Sequence, residues 1–451
     1  MTSLSICPRR RVCTKSDNIE WLEGIPDHWG IVPSKVLFSV SNERAHPGDE
    51  HLSATQAYGV IPLSEYERIV GRQITKTLRH EEKRRHVEPD DFVISMRSFQ
   101  GGLERVWVPG SVRSSYVVLR PSSRVHVPFF AHLLKSEKYI QALRATSNFI
   151  RDGQDLNINN FKLVDLPLVP LPEQKAIANF LDRKTAAIDA LIEKKEKLLE
   201  LLAEKRSALI NKAVTKGLNP NVPMKDSGIP WIGAVPVTWQ VKRLRYVSPE
   251  ITVGIVITPS KYYVDLGVPC PRSLNVKPMV LSEEGMVFIS EESNRQLAKS
   301  RIFKGDLVSV RTGQPGTTAI VDDRFDGANC IDLIIIRSSE QTSSKFLAYV
   351  LNSEKSKAQY TQGGCGAIQM HFNVGTAKNL LLCIPPLEEQ NQIARFLEQE
   401  LSGLQALSEK TEVSINKLRE YRQSLITAAV TGQLEIPAED YEASPTEDRP
   451  S

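Results

Sequence analysis

The strongest hydrophobic pattern in the chain runs from Pro172 to Gly217. Stepping alternately four and three residues from Ile177 visits Leu181, Lys184, Ile188, Leu191, Lys195, Leu198, Leu202, Lys205 and Leu209. Most of these positions are apolar, which is the period of a coiled-coil seam interrupted by lysines. Pro172 suits a first helical position, Glu173 the positive end of the dipole, and Gly217 a helix stop. Roughly 40 residues without internal Gly or Pro make a rod of roughly 60 Å. A rod with one narrow apolar stripe needs a partner.

The chain supplies that partner. From Gln390 to Gly432 the same pattern returns at an offset of 216, with Gln174 on Gln390, Ile177 on Ile393 and Leu181 on Leu397. Ala213-Val214-Thr215 likewise falls on Ala429-Val430-Thr431. The second seam reads Ile393, Leu397, Leu404, Leu407, Leu418, Tyr421 and Leu425. Agreement at one fixed offset is an internal repeat.

The segments ahead of the rods repeat too. IEWLEGIPDHWG recurs as IPWIGAVPVTWQ, with Trp21 on Trp231 and Trp29 on Trp239. These tryptophans read as packed lids at the entrance of each globule, with base stacking as the alternative. Between entrance and rod, short β-like runs alternate with turns: Phe92–Met96, Val106–Val108 and Tyr116–Leu119, then a helix near Pro128–Ala145. The second half gives Leu307–Val310, Ala319–Val321, Leu333–Ile336 and a helix over Lys345–Ala358, and Ser136-Glu137-Lys138 recurs as Ser353-Glu354-Lys355. The order is a tail at 1–18, a globule at 19–171, a rod at 172–217, a linker at 218–227, a globule at 228–385, a rod at 386–432 and a tail at 433–451. The short linker sets the far end of the first rod beside the second globule, so that if the seams pair the second rod must run back towards the first globule. The expected class is α+β: two mixed α/β globules with an antiparallel coiled coil and a pseudo-twofold internal repeat.

Composition changes this picture little. At 451 residues two domains or more are expected. No apolar run suits a membrane span, and the N-terminus lacks the apolar core of a signal peptide. Six cysteines form no C-x-x-C pair, which points to a reducing cytoplasm without disulfide frame or zinc knuckle. Eight histidines show no metal-ligand spacing and are taken as surface or core residues, with no metal expected. The net charge is +4, of which Glu435–Ser451 contributes −5, leaving a body of +9 that suits a polyanion.

Two globules, each followed by a Pro-Leu-x-Glu-Gln-like phrase (Pro170–Gln174, Pro386–Gln390), a leucine-seamed helix and a closing Ala-Val-Thr phrase, resemble the specificity subunit of type I restriction–modification systems. The resemblance spans 19–434. One departure is that the first closing phrase reads Thr215-Lys216-Gly217, with Gly one place later. The resemblance implies two target-recognition domains, each gripping half of a split double-stranded DNA site. It implies rods that set the spacing and dock two methyltransferase subunits, with separate restriction/translocase subunits. S-adenosylmethionine, ATP and Mg belong on those partners; no cofactor is expected on this chain.

The residues agree on missing chemistry: there is no G-x-x-x-x-G-K-[ST] and no Asn/Asp-Pro-Pro-aromatic phrase. Gly363–Gly366 reads as a loop, and Asp90-Asp91 as a strand-opening turn aligned with Gly305-Asp306. Candidate DNA contacts need cations for phosphates and amides or guanidinium groups for base edges. The run Arg79–His86, with Lys83, Arg84 and Arg85, reads either as such a patch or as a solvated helical face. Arg97 and Gln100 align with Arg311 and Gln314, each an Arg at a strand end and a Gln in a Gly-containing loop. Gln154 and Asn157 correspond to Gln369, His371 and Asn373. Structural turns are the alternative for both pairs. A coiled-coil scaffold with two protein-binding heads is the rival function, and a self-sufficient nuclease or methyltransferase a third.

Overall fold

The computed structural model describes residues 20–73, 83–95, 98–146, 158–230, 232–362 and 372–442. The chain forms two compact units, Met1–Lys195 with Val413–Ser451, and Glu196–Glu412, so the division cuts through both rods. Among the described residues no helix is long and apolar enough to cross a membrane.

In the first unit, Phe38–Ser41, Val117–Pro121, Phe92–Ile94 and Glu104–Arg105 lie in that order in one antiparallel sheet. Successive side chains on a strand point to opposite faces. Phe92, Ile94 and Leu119 therefore join Phe129, Phe130 and Leu133 in the main core. Val93 and Val118 join Val60, Val87 and Val106 in a smaller cluster on the other face. Both faces are covered, which is why these strands read as continuous apolar runs.

The second unit repeats that order with Ile251–Val253, Leu333–Ile336, Leu307–Val310 and Thr318–Ile320. Ile334 and Ile336 face one cluster, Leu333 and Ile335 the other. Leu307–Val310 and Leu333–Ile336 lie where the sequence placed them. Elsewhere the edges move: Val106–Val108 gives way to Glu104–Arg105, with Val106 making only an isolated bridge to Val60. Tyr116–Leu119 becomes Val117–Pro121, and Ala319–Val321 becomes Thr318–Ile320. Phe92–Met96 ends at Ile94, and Met96 lies outside the described residues.

Each helix expected after the sheet is two. Val127–Leu133 stops at Ser136, whose hydroxyl donates to the Leu133 carbonyl at 2.8 Å and caps Glu137–Ala145 by accepting from Tyr139 N at 3.4 Å. Ser353 repeats the device between Ser344–Asn352 and Glu354–Gln362, donating to Val350 O at 2.6 Å and accepting from Ser356 N at 3.3 Å. A serine that satisfies one helix end while capping the next explains the repeated Ser-Glu-Lys phrase.

Asp90 and Gly305 open equivalent turns with φ of 74° and 89°. The next residue in each case is a buried aspartate. Asp91 accepts from Glu88 N at 3.0 Å and pairs with Arg120, while Asp306 accepts from Phe303 N at 3.0 Å and pairs with Arg337 at 2.6 Å.

The rods are single helices, Leu171–Lys216 of 46 residues and Leu387–Val430 of 44. Within each unit the halves present run antiparallel. In the first, Trp29 donates to Glu173 at the start of one helix and packs against Gly432 past the end of the other. In the second, a methyl group placed on Gly217 would lie 3.1 Å from Glu389 and 3.3 Å from Trp239.

The seam differs from the expected one. Leu191, Leu198, Leu407 and Tyr421 are 43, 37, 44 and 48% exposed. The buried or half-buried stripe is Leu181, Thr185, Ile188, Ile192, Lys195, Leu199 and Leu202, matched on the second rod by Leu397, Leu401, Leu404, Ser408, Thr411, Ile415, Leu418, Arg422 and Leu425. Alternate positions have moved by one residue. This releases Lys184 and Lys205 to water and brings Thr185 inside; Thr185 and Thr411, the latter at no moved position, each bond through the hydroxyl back to their own helix. Ile177 and Ile393 are fully buried in the globule cores and Leu209 is half-buried.

Candidate DNA interface

Three of the four entrance tryptophans are core residues. Trp21 and Trp29 are buried, Trp21 meets Tyr139 edge-on at 5.6 Å, and Trp239 is fully enclosed. Burial removes the ring faces that stacking on a base requires. Trp231 lies outside the described residues.

The glutamine of each Pro-Leu-x-Glu-Gln phrase has a role that sequence reasoning missed. Gln174 is fully buried; its amide nitrogen donates to Arg124 O at 2.9 Å and Val169 O at 2.8 Å, and its oxygen accepts from His126 N at 2.7 Å. Gln390 does the same with Pro385 O at 2.9 Å and Ser343 N at 2.9 Å. One amide thus fixes where each rod leaves its globule and where the helix pair ahead of that rod begins.

Among the candidate contacts, Lys83 is exposed. Arg85 lies in the strand Arg85–Val87, correcting the helical-face reading, and donates to Asn42 Oδ1 at 2.8 Å and Ser114 O at 3.3 Å. Arg84 Nε donates to Ser111 Oγ at 2.9 Å. Arg84 thus fastens the neighbouring strand Gly110–Val112, and Arg85 the loops at Asn42 and Ser114.

In the second unit Arg311 follows the strand Leu307–Val310 as expected, and its guanidinium is held by Asp332, a residue at φ 51°. Phe372 N donates to Arg311 O at 3.1 Å, and Phe372 packs on Tyr360 at 4.4 Å, against which Gly316 leaves no space for a Cβ. The two stretches singled out separately in the sequence therefore meet. Gln314 is exposed, and Asn373 caps the helix Val374–Asn379 by accepting from Thr376 N at 2.9 Å. In the first unit Gln100 lies in the short helix Ser98–Gly101. Arg97, Gln154, Asn157, Gln369, His371 and the loop Gly363–Gly366 lie outside the described residues.

A cleft of about 790 Å³ opens in the first unit beside Arg105, Trp107, Lys135 and Arg144 on the globule and Asp189 and Arg422 on the helices. Arg105 stacks over Trp107 at 4.2 Å while its fork grips Asp90 at 2.7 Å. Cys270 and Cys383 are buried thiols, and burial pushes them up to about 12 and about 11, which keeps them protonated and unreactive. The histidines hold a surprise. His46 and His86, which show no ligand spacing in sequence, stack at 4.1 Å beside Glu43.

The same strand order and the same serine-broken helix pair in both units define a duplicated α/β domain, each copy joined to a long helix. The family model for the type I restriction modification DNA specificity domain matches residues 71–201 and 276–417, and the chain belongs to that family. The MjaVIII type I restriction enzyme specificity subunit of Methanocaldococcus jannaschii is 23% identical over 434 residues, covering 94% of this chain and 97% of that one. The EcoKI specificity subunit of Escherichia coli K12 is 24% identical over 375 residues, covering 77% and 75%. Among solved structures, the HsdS subunit from Thermoanaerobacter tengcongensis shares the fold with a TM-score of 0.52 at 16% identity, covering 91% of this chain and 98% of that one. A chain solved to explain complex assembly and conformational transition of the type I R-M system matches with a TM-score of 0.62 at 17% identity, covering 91% and 99%.

Proposed function

We propose that this chain is the DNA-specificity subunit of a type I restriction–modification enzyme, in which each repeated globule reads one half of a bipartite duplex site. The paired rods set the spacer and dock two methyltransferase subunits. The observation that carries this reading is the duplication itself: one strand order, one serine-broken helix pair and one buried glutamine occur twice, under loops of different sequence. A scaffold kept twice while its loops differ suits two readers of different targets. The chain is non-catalytic in this reading. Methyl transfer, ATP-driven translocation and cleavage, with their S-adenosylmethionine, ATP and Mg, fall to the methyltransferase and restriction subunits, in the cytoplasm.

The test is an exchange. Residues 228–385 are replaced by the equivalent domain of a relative, and methylated sites are mapped in cells carrying the whole system. One half-site should change while the other half persists. Binding of the methyltransferase complex to duplex DNA should also weaken steeply with salt, by about 0.9 power of salt per phosphate contacted. An unchanged methylation pattern after the exchange, or salt-independent binding, favours protein-binding heads instead.

A further inference from the structure

We propose that the first recognition domain carries a binding site for a divalent transition ion of the zinc class, built from Glu43, His46 and His86. The ligand atoms of these three residues lie within 4.8 Å of one another, the only such group among the described residues. They come from separate parts of the chain. His86 is on the strand Arg85–Val87, and Glu43 and His46 are on the loop that follows Phe38–Ser41.

The hydrogen bonding around His86 suits a ligand. Its Nδ1 lies 2.8 Å from Asp49 Oδ2, and that carboxylate is itself held by the backbone N–H of His46 at 2.8 Å. A carboxylate on one ring nitrogen fixes the proton there and leaves the other nitrogen with its lone pair outward, the usual support of a metal-ligating imidazole. The Nε2 of His86 then faces Glu88 Oε1 at 3.0 Å. Without an ion that contact needs a second proton on the ring, so an ion bound at Nε2 would displace that proton and take its place against the carboxylate. His46 Nε2 lies 3.2 Å from Glu43 Oε1, while Arg120 takes the other oxygen of Glu43 at 3.2 Å. Two imidazoles with carboxylates select zinc, cobalt or nickel over calcium or magnesium, which prefer all-oxygen sites.

The site has a structural consequence. His86 N donates to Glu43 O at 3.0 Å and Ala45 N to Arg84 O at 3.1 Å, so the ligand loop already lies along the basic strand edge. An ion would lock that loop to Lys83–Arg85.

The experiment uses the full-length untagged chain, stripped with chelator and titrated with Co²⁺. One equivalent should bind at micromolar concentration with the visible absorption of cobalt in nitrogen and oxygen ligands, be displaced by Zn²⁺, and lack a thiolate charge-transfer band. His46 is exposed, so His46→Ala should fold with an unchanged circular dichroism spectrum. It should lose affinity by at least about 10-fold, the lower end for disturbing even a supporting residue. Zn²⁺ should raise the melting temperature of the wild type and leave that of His46→Ala unchanged. No saturable binding at tens of micromolar, a thiolate band, or equal affinity in His46→Ala overturns the proposal.

Discussion

Gln174 shows how one side chain can decide a domain's geometry. Its three hydrogen bonds satisfy the carbonyls of Arg124 and Val169 and the N–H of His126 inside the core. Gln174→Ala leaves buried polar groups without partners, at about 1–3 kcal/mol each. We expect the first unit to lose about 3 kcal/mol, read by urea unfolding followed through tryptophan fluorescence; a loss below about 1 kcal/mol refutes the role. The glycines that end the rods make a second residue-scale test. Gly432 has φ 67°, and a Cβ there would lie 2.3 Å from the Pro26 ring, whereas at Gly217 (φ 75°) the nearest atom is 3.1 Å away on a flexible glutamate. Both alanine variants carry left-handed strain of about 1–2 kcal/mol. Gly432→Ala should therefore unfold at lower urea than Gly217→Ala, and the reverse order would show that Glu389 is the more rigid neighbour. Both phrases were legible in the sequence as repeats, but their partners were not. Nothing near Gln174 in sequence names the carbonyl of Arg124, just as nothing near His46 names His86.

At the scale of elements, the repeat and its sheets were legible because buried strands and long helices write their period into local sequence. Phase was not. Leu181, Ile188 and Leu202 are buried in both the expected and the observed seam, and the intervening choice lay between Leu191 or Leu198 and Ile192 or Leu199. Adjacent apolar residues leave the period intact, and only the partner helix selects between them. The lysines at 184 and 205 carried the missing information, since a seam that excludes them is the one that forms. Leu191→Gln and Leu198→Gln should thus stay within about 0.5 kcal/mol of the parent. Ile188→Ala and Leu202→Ala, each removing a buried side chain, should lose about 2–4 kcal/mol. Comparable losses in all four, measured by denaturation, would restore the seam drawn from sequence. Helix breaks followed a subtler signal: Ser136 and Ser353 recur in the sequence, but a serine becomes a break only when the carbonyl behind it and the N–H ahead both turn to its hydroxyl.

At the scale of the molecule, each compact unit is assembled from both ends of the repeat. The first core contains Ile177, Leu181 and Ile188 from one rod together with Leu425, Ile426, Ala429 and Val430 from the other. The second contains Ile210, Ala213 and Val214 in the corresponding places. A fragment of residues 1–225 therefore lacks part of its own core but carries, near its end, the segment that fills the equivalent space elsewhere. Two copies can exchange those ends, each Ile210–Val214 stretch docking where Ile426–Val430 had been. Burying an Ile, Leu or Val side chain contributes about 1.5–3 kcal/mol, so several of them outweigh the association entropy at moderate concentration. The exchange is imperfect. Arg183 loses Asp440, with which it pairs at 2.7 Å, and the segment Leu218–Lys225 brings no acid to replace it. The fragment should sediment as a dimer at tens of micromolar. With the methyltransferase it should methylate an interrupted palindrome built from the first half-site, because two identical readers around a twofold axis meet the same bases on antiparallel strands. A fragment that remains monomeric at those concentrations, or a complex that keeps an asymmetric target, would mean that the two halves are related in fold without being interchangeable in assembly.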